Sequence, residues 1–173
     1  GQTKDALAKT KAGSWEYDIV IPGYKCNMTD IMASIGLVQL DRYPKLLARR
    51  LELVEKYNKG FEGSRVIPLV HNTKDHKSSN HLYITHIEGA TFEQRGEIIT
   101  KMAERGISCN VHYKPLPLLT AYKNLGFDMN NYPNAYSYYV NEVTLPLHTR
   151  LSDDDIEVIV ENFKEVIAEV VGE

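Results

Sequence analysis

Residues 15–37 read WEYDIVIPGYKCNMTDIMASIGL, and this stretch decides how the rest of the chain is interpreted. Its first seven residues alternate and are rich in β-branched and aromatic side chains, which predicts a strand over 15–21. A Pro-Gly pair ends that strand, and Thr29 or Asp30 is a suitable N-cap for a following helix. The polar turn between them therefore lies at a helix N-terminus, where backbone N–H groups attract anions.

The turn at 23–30 carries two side chains suited to an anion such as phosphate. Lys25 supplies a positive charge and Asn27 an amide donor, next to the N–H groups of the coming helix. The alternative interpretation is an ordinary capped helix start with a glycine turn, since phosphate-binding turns usually carry more glycine. The residues of the turn alone leave both interpretations open.

Outward from this turn, helices and strands alternate along the chain, which predicts an α/β fold. Apolar residues recur at helical spacing from Ile31 to Tyr57, so a helix that kinks or restarts at Pro44 is expected before Gly60. Capping patterns mark the starts of two further helices at Thr91 and Ser152. The remaining predicted elements are a short helix at 5–11, a tyrosine-rich helix from Tyr132, and strands at 66–69, 81–87, 107–113 and 143–147.

The composition limits the classes of protein to which this chain can belong. The 173 residues include 20 Lys and Arg against 23 Asp and Glu, which gives a formal net charge of -3 and no basic excess to attract nucleic acid. No apolar run is long enough to cross a bilayer. The two cysteines, Cys26 and Cys109, lie far apart and outside any C-x-x-C pattern, so neither a cysteine zinc site nor a disulfide framework is predicted. These features predict a cytoplasmic protein that binds neither nucleic acid nor membrane.

Histidines are the other candidate functional residues. Four of them recur every five residues between 71 and 86, a spacing that neither a helix nor a strand directs to one side, so no metal site is predicted. His112 lies on the polar face of the strand predicted at 107–113, just before a proline-containing loop, which is where α/β folds place working residues. The alternative is a histidine that is hydrogen-bonded to a neighbour in the core.

The stretch 15–37 resembles the DegT/StrS-type family of aminotransferases, which depend on pyridoxal 5′-phosphate (PLP) and act on keto sugar nucleotides. The block Gly23-Tyr24-Lys25-x-Asn27-Met28-Thr29-Asp30 is its most specific part. The resemblance continues in order along nearly the whole chain through Gln39-Leu40, Ala48-Arg49-Arg50, His81-Leu82-Tyr83, Arg105-Gly106-Ile107, Val111-His112-Tyr113-Lys114-Pro115-Leu116, Tyr132-Pro133-Asn134-Ala135 and Leu145-Pro146-Leu147.

The resemblance implies an aspartate-aminotransferase-type fold, also called fold type I, built as a homodimer with active sites at the subunit boundary. It implies that residues 1–28 end the large PLP domain, residues 29–62 form connecting helices, and residues 63–173 form the small C-terminal α/β domain. It also implies that the Schiff-base lysine lies upstream. This chain alone is therefore expected to lack that lysine, to contain no catalytic residue and to be inactive.

The resemblance also implies roles for individual residues. Asn27 matches the family asparagine that crosses the dimer interface to bond the phosphate of the partner's PLP, and Lys25 beside it is a weaker anion contact. His112 matches a histidine at the substrate side of the pocket, where an imidazole can bond either sugar hydroxyls or the nucleotide phosphates. Tyr113 next to it is expected to contact the substrate as well. Pro117 stands where a further histidine often occurs in the family.

The implied reaction transfers an amino group from a donor, expected to be glutamate, to a 4-keto or 3-keto sugar carried on a nucleotide. PLP acts as the electron sink in such a reaction. Two alternatives stay open. One is a PLP-dependent sugar dehydratase of the same family, in which histidine replaces the lysine. The other is a non-catalytic α/β binding or regulatory module.

Overall fold

The structure of the protein, a computed structural model, describes Tyr24 and residues 26–172. The helix predicted at 5–11 and the strand predicted at 15–21 lie outside these described residues, and so does Lys25. The described chain therefore begins just before the helix that follows the polar turn.

Helix α1, Asp30–Gly60, is a single element of 31 residues. Thr29 is its N-cap, because Thr29 Oγ1 accepts a hydrogen bond of 3.3 Å from the backbone N–H three residues further on. Pro44 lies inside the helix, which continues through it and does not restart there. The chain divides within this helix into two compact units, Gly1–Arg42 and Tyr43–Glu173.

The described part of the first unit exposes apolar side chains on its stretch of helix α1. These side chains are 59% to 74% exposed, and they are Ile31, Met32, Ile35, Leu37, Val38 and Leu40. Within the described residues, every buried apolar side chain belongs to the second unit. The hydrophobic core described below is therefore a property of the second unit.

The second unit is built on an antiparallel sheet of three strands in the order β1-β2-β3. The strands are β1 (Val66–Pro68), β2 (Tyr83–Ile87) and β3 (Glu142–Leu145). Strand β1 lies at the edge of the sheet, which suits a strand that contains a proline and so lacks one N–H donor. Tyr83 pairs with Leu145 and His86 pairs with Glu142 across β2 and β3.

Further helices follow along the chain. Within the described residues they are α2 (Phe92–Glu104), α3 (Thr120–Asn124), α4 (Pro133–Val140) and α5 (Asp153–Val171), with short 3-10 turns at Leu116–Leu118 and Met129–Asn131. None of the described helices is both long and apolar enough to cross a membrane.

Both predicted capping patterns form in the structure. Thr91 Oγ1 accepts from Gln94 N at 3.2 Å, and Gln94 Oε1 accepts from Thr91 N at 2.9 Å, which closes a capping box at the start of α2. Ser152 and Asp155 make the same pair of bonds at the start of α5. Each box satisfies two N–H groups that a helix start leaves without a partner.

The core lies between the sheet and helices α1, α2 and α5, and stacked aromatic rings form its centre. The rings of Tyr57 and Tyr83 stack with centroids 4.5 Å apart. Tyr57 Oη donates to the carbonyl of Pro146 at 2.8 Å, and Tyr83 Oη donates to Asn58 Oδ1 at 2.9 Å. Both buried hydroxyls are therefore paired, and burial raises the pKa of each.

Arg50, part of the Ala-Arg-Arg motif, fastens α1 to two loops of the second unit. Its Nη1 donates to the carbonyls of Asn80 and His81 at 3.0 Å and to that of Leu147 at 3.2 Å. Nη1 carries two N–H bonds, so at least one of its protons is shared between two of the three carbonyls. The motif therefore has a structural role in this chain.

The prediction of a strand at 107–113 is wrong. In this described segment only Asn110 pairs with the sheet: Asn110 N donates to Thr144 O at 3.0 Å, and Thr144 N donates to Asn110 O at 2.8 Å. His112 N donates to the side-chain oxygen Glu142 Oε2 at 3.0 Å, where a continued ladder would need a backbone carbonyl. The segment therefore leaves the sheet after a single bridge.

Candidate functional site

His112 and Tyr113, the two residues expected at the substrate, lie together in the wall of one cavity of about 190 Å³ in the second unit. The rest of the wall comes mainly from β2, β3 and α4, through Ile84, His86, Glu142, Ala135, Tyr138 and Tyr139. The cavity therefore joins residues that lie far apart in the sequence.

Strand alternation explains which side chains face this cavity. The other three residues of β2 are completely buried in the core, so Ile84 and His86 point to the opposite face of the sheet. Ile84 pairs with Thr144 and His86 pairs with Glu142 in the register. Because cross-strand partners lie on the same face, all four side chains stand on the cavity side.

Two side chains of β3 hold His112. Its backbone N–H donates to Glu142 Oε2 at 3.0 Å, and its ring atom Nδ1 lies 3.0 Å from Thr144 Oγ1. The hydroxyl of Thr144 in turn donates to Glu142 Oε1. Glu142 is only 3% exposed, and both of its carboxylate oxygens accept a hydrogen bond. The backbone and the ring of His112 are thus fixed by one buried carboxylate, directly or through Thr144.

Aromatic rings stand next to both histidines of the cavity. Tyr113 is 75% exposed, and its ring meets that of His112 edge-on with centroids 4.7 Å apart. Tyr138 meets His86 in the same manner at 4.6 Å. Aromatic faces stack on flat apolar surfaces, while imidazole nitrogens form hydrogen bonds. The cavity can therefore hold a ligand that has both apolar faces and hydroxyl groups.

His86 is a cavity residue that the sequence does not single out, because it is one of four histidines spaced five residues apart and this spacing predicts no common site. Asn141 Nδ2 donates to the carbonyl of Ile87 at 3.0 Å, which leaves Asn141 Oδ1 to face His86 Nδ1 at 3.3 Å. This arrangement assigns the proton of a neutral His86 to Nδ1. Its Nε2 is buried without a hydrogen-bond partner in the described part of the chain.

The other histidines of the series are dispersed. His71 is buried and stacks on Tyr83, and burial lowers its pKa below the ordinary 6.5. His76 Nδ1 lies 2.8 Å from Thr73 Oγ1 on an exposed turn. Across the described residues, no group of three or more His, Cys, Asp or Glu side chains is arranged to hold a metal ion.

Asn27, the residue expected at the cofactor phosphate, lies in the first unit, in the non-helical segment before α1. It is exposed, and Thr29 two residues later caps the helix. The structure therefore groups His112 with Tyr113 in the second unit, and it leaves Asn27 in the first. Lys25, the second expected cofactor contact, lies outside the described residues.

Comparison with known proteins gives a family match. Residues 4–164 match the model of the DegT/DnrJ/EryC1/StrS aminotransferase family. The chain is 34% identical over 163 residues to the spore coat polysaccharide biosynthesis protein SpsC of Bacillus subtilis, a match covering 90% of this chain and 41% of SpsC. It is 29% identical over 147 residues to a UDP-4-amino-4,6-dideoxy-N-acetyl-beta-L-altrosamine transaminase of Helicobacter pylori, covering 85% of this chain and 39% of the transaminase.

Solved structures give the same match. Spr1654 of Streptococcus pneumoniae, assigned as a sugar aminotransferase and solved in its PMP form, has a TM-score of 0.84 at 66% identity, covering 98% of this chain and 43% of that one. The PLP form of Spr1654 has a TM-score of 0.82 at 65% identity, over 91% of this chain and 40% of that one. PseC of Helicobacter pylori, an aminotransferase involved in the biosynthesis of pseudoaminic acid, has a TM-score of 0.75 at 28% identity. This match covers 92% of this chain and 43% of PseC.

These matches confirm the predicted family resemblance and fold class, because the structural neighbours are fold type I aminotransferases. The chain spans about two fifths of the length of the relatives that it matches.

Proposed function

The chain belongs to the DegT/DnrJ/EryC1/StrS aminotransferase family, and we propose that it is the C-terminal portion of a PLP-dependent aminotransferase. The whole enzyme transfers an amino group, with glutamate as the expected donor, to a keto sugar carried on a nucleotide. The observation that carries this proposal is the cavity around His112, which lies in a chain whose relatives include a transaminase of a UDP-linked sugar.

The size and lining of the cavity support a sugar ring as the group bound there. Ligand pockets usually begin at about 300 Å³, so a cavity of about 190 Å³ takes only part of a nucleotide sugar. The imidazole of His112 can bond a hydroxyl group, and the exposed rings of Tyr113 and Tyr138 offer apolar faces. We therefore assign His112 and Tyr113, which are predicted at the substrate, to the sugar part of that substrate.

PLP is the cofactor of the proposed enzyme, and one exposed residue of this chain fits its phosphate by donor chemistry. The amide of Asn27 lies on the segment that leads into the N-terminus of α1, where an amide donor and backbone N–H groups suit an anion. We propose that Asn27 holds this phosphate and that Lys25 adds a charge beside it. When bound, PLP supplies the electron sink for amino transfer.

The organisation of the whole enzyme follows from the same proposal. We assign residues 1–28 to the end of the large domain, residues 29–62 to connecting helices and residues 63–173 to the small domain. The enzyme is proposed to be a cytoplasmic homodimer, in which Asn27 serves the partner's cofactor. The Schiff-base lysine is proposed to lie outside this chain, which would then be inactive alone.

The test is product formation by the full-length enzyme. We expect incubation with glutamate, PLP and a nucleotide-linked keto sugar to yield an amino sugar nucleotide, identified by mass spectrometry with ¹⁵N-labelled glutamate. A deoxygenated product without nitrogen would indicate the dehydratase, and no product with any keto sugar nucleotide would indicate a binding module. We expect His112→Ala to impair turnover with PLP binding intact, whereas equal loss of the cofactor would place His112 elsewhere.

A further inference from the structure

We propose that Thr144 and Glu142 are positioning residues that hold a neutral His112 in one tautomer, so that Nε2 presents a lone pair to a hydroxyl group of the sugar. This inference rests on the proposed function of His112 as a substrate contact. It deepens that function, because it states which kind of hydrogen-bonding group the histidine recognises and which two residues decide this.

The first step concerns the carboxylate of Glu142. An ionised carboxylate only accepts hydrogen bonds, and each oxygen of Glu142 has one donor: His112 N reaches Oε2 at 3.0 Å, and the hydroxyl of Thr144 reaches Oε1. At 3% exposure Glu142 has little access to water as a replacement donor. The hydroxyl proton of Thr144 is therefore directed to Glu142.

The second step concerns the hydroxyl of Thr144. A threonine hydroxyl has a single proton, and once that proton points to Glu142, the oxygen can only accept from other neighbours. His112 Nδ1 lies 3.0 Å from this oxygen, so Nδ1 must carry a proton for the contact to be a hydrogen bond. The relay thus runs from His112 Nδ1–H to Thr144 and on to Glu142.

The third step concerns the free side of the ring. In a neutral imidazole with its proton on Nδ1, Nε2 is an acceptor. His112 lines the cavity, and its Nε2 makes no hydrogen bond to the described residues. A sugar hydroxyl can donate to this nitrogen, whereas a phosphate or a carbonyl oxygen cannot. The reverse arrangement, with a protonated Glu142 and the proton of Thr144 on Nδ1, would make Nε2 a donor.

The experiment measures the tautomer of His112 directly. The protein is labelled with ¹⁵N-histidine, and long-range ¹H–¹⁵N spectra are recorded at a pH where the ring is neutral. We expect a protonated Nδ1 and an unprotonated Nε2 in the wild-type protein and in Thr144→Ser, which keeps the hydroxyl. We expect Thr144→Val, which keeps the shape of the side chain, to lose this preference. An Nε2–H tautomer in the wild type overturns the relay, as does an unchanged tautomer in folded Thr144→Val.

Thr85→Val is the matched control. Thr85 is also a buried threonine of the same sheet, and its hydroxyl donates to the carbonyl of Val143 at 2.7 Å. The variant Thr85→Val therefore loses a comparable hydrogen bond, but Thr85 does not contact His112. The tautomer of His112 should not change in this variant. If Thr144→Val fails to fold, Glu142→Gln gives a second test, because its amide can donate to Thr144 and turn the hydroxyl proton towards Nδ1.

Kinetics of the full-length enzyme separate the relay from the proposed function. Loss of one oriented hydrogen bond should raise KM for the keto sugar nucleotide about 2- to 10-fold in Thr144→Val, whereas Thr85→Val should leave this KM unchanged. An unchanged KM together with the expected tautomer overturns the sugar contact of His112 and leaves the relay in place. An active enzyme whose His112 carries its proton on Nε2 overturns the relay and leaves the proposed function in place.

Discussion

His71 shows how burial changes the chemistry of a single side chain. It is 7% exposed, its ring stacks on Tyr83 with centroids 5.8 Å apart, and its Nε2 has no hydrogen-bond partner among the described residues. Burial lowers its pKa below 6.5, because the charged ring loses its hydration. The unfolded chain therefore binds this proton more readily than the folded protein, and the folded state loses stability as the pH falls through 6.5.

We expect His71→Phe to reduce the loss of unfolding free energy between about pH 7 and about pH 5, because phenylalanine keeps the stacked ring and removes the titrating group. Urea unfolding at the two pH values measures this loss. His81→Phe is the matched variant, since it makes the same exchange at an exposed histidine. A pH dependence in His71→Phe equal to that of the wild type would contradict the assignment.

Asn27 is a second single residue whose proposed role, at the phosphate of PLP, can be tested by substitution. We expect Asn27→Ala in the full-length enzyme to weaken PLP retention by roughly 1–3 kcal/mol, because a hydrogen bond to a charged phosphate is lost. Equilibrium dialysis against PLP measures the effect. Asn131→Ala removes another exposed asparagine amide and should leave PLP affinity unchanged. Unchanged affinity in Asn27→Ala would refute the role of Asn27 at the phosphate.

At the scale of elements, Arg95 joins helices α2 and α4. Its guanidinium carbon lies 4.8 Å from the ring centroids of both Phe92 and Tyr139, and the residue is buried. A planar guanidinium can stack on two rings at once, which the ammonium of lysine cannot. The tyrosine-rich helix α4, which forms one side of the His112 cavity, is thus attached partly through a cation–π contact.

We expect Arg95→Lys to lower the free energy of unfolding by about 1–2 kcal/mol, because the charge stays while the stacking on two rings is lost. Chemical denaturation followed by circular dichroism measures this change. Arg150→Lys makes the same exchange at an exposed position and should change stability little. Equal stability of the two variants would show that the contact with the rings does not hold α4.

Elements whose signals are local could be predicted from the sequence, and those that depend on distant partners could not. The capping boxes at Thr91 and Ser152 act over three residues, so their patterns located the starts of α2 and α5. The alternation at 107–113 predicted a strand. In the structure the backbone N–H of His112 donates to the side chain of Glu142, 30 residues further on, and so is not available to a neighbouring strand. A local sequence pattern does not show when a distant side chain competes with a strand for a backbone hydrogen bond.

The same distinction holds for the candidate site. His112 lies just before a proline-containing loop, a local signal that indicates a functional residue. His86 and Glu142 line the cavity because β2 and β3 pair in one register, and Thr144, on the same strand as Glu142, contacts His112. Register follows from long-range packing, so the sequence did not single out these three residues.

At the scale of the whole molecule, the central expectation concerns the cofactor. We expect the 173-residue chain, incubated with PLP and treated with borohydride, to show no stoichiometric adduct on a single lysine, because the Schiff-base lysine is proposed to lie outside this chain. Mass spectrometry of tryptic peptides measures this. The full-length enzyme under the same treatment is the positive control. A stoichiometric adduct on one lysine of this chain would refute the assignment.

The single bridge at Asn110 has a consequence for engineering. After it the chain runs along the surface, and within 113–140 only Pro117 is buried. Changes in this segment at positions other than Pro117 and Tyr139, the latter in contact with Arg95, therefore leave the hydrophobic interior intact while they alter the rim around His112. A combinatorial library confined to these positions would sample new ligand preferences on an unchanged scaffold, which makes this stretch the natural starting point for directed evolution.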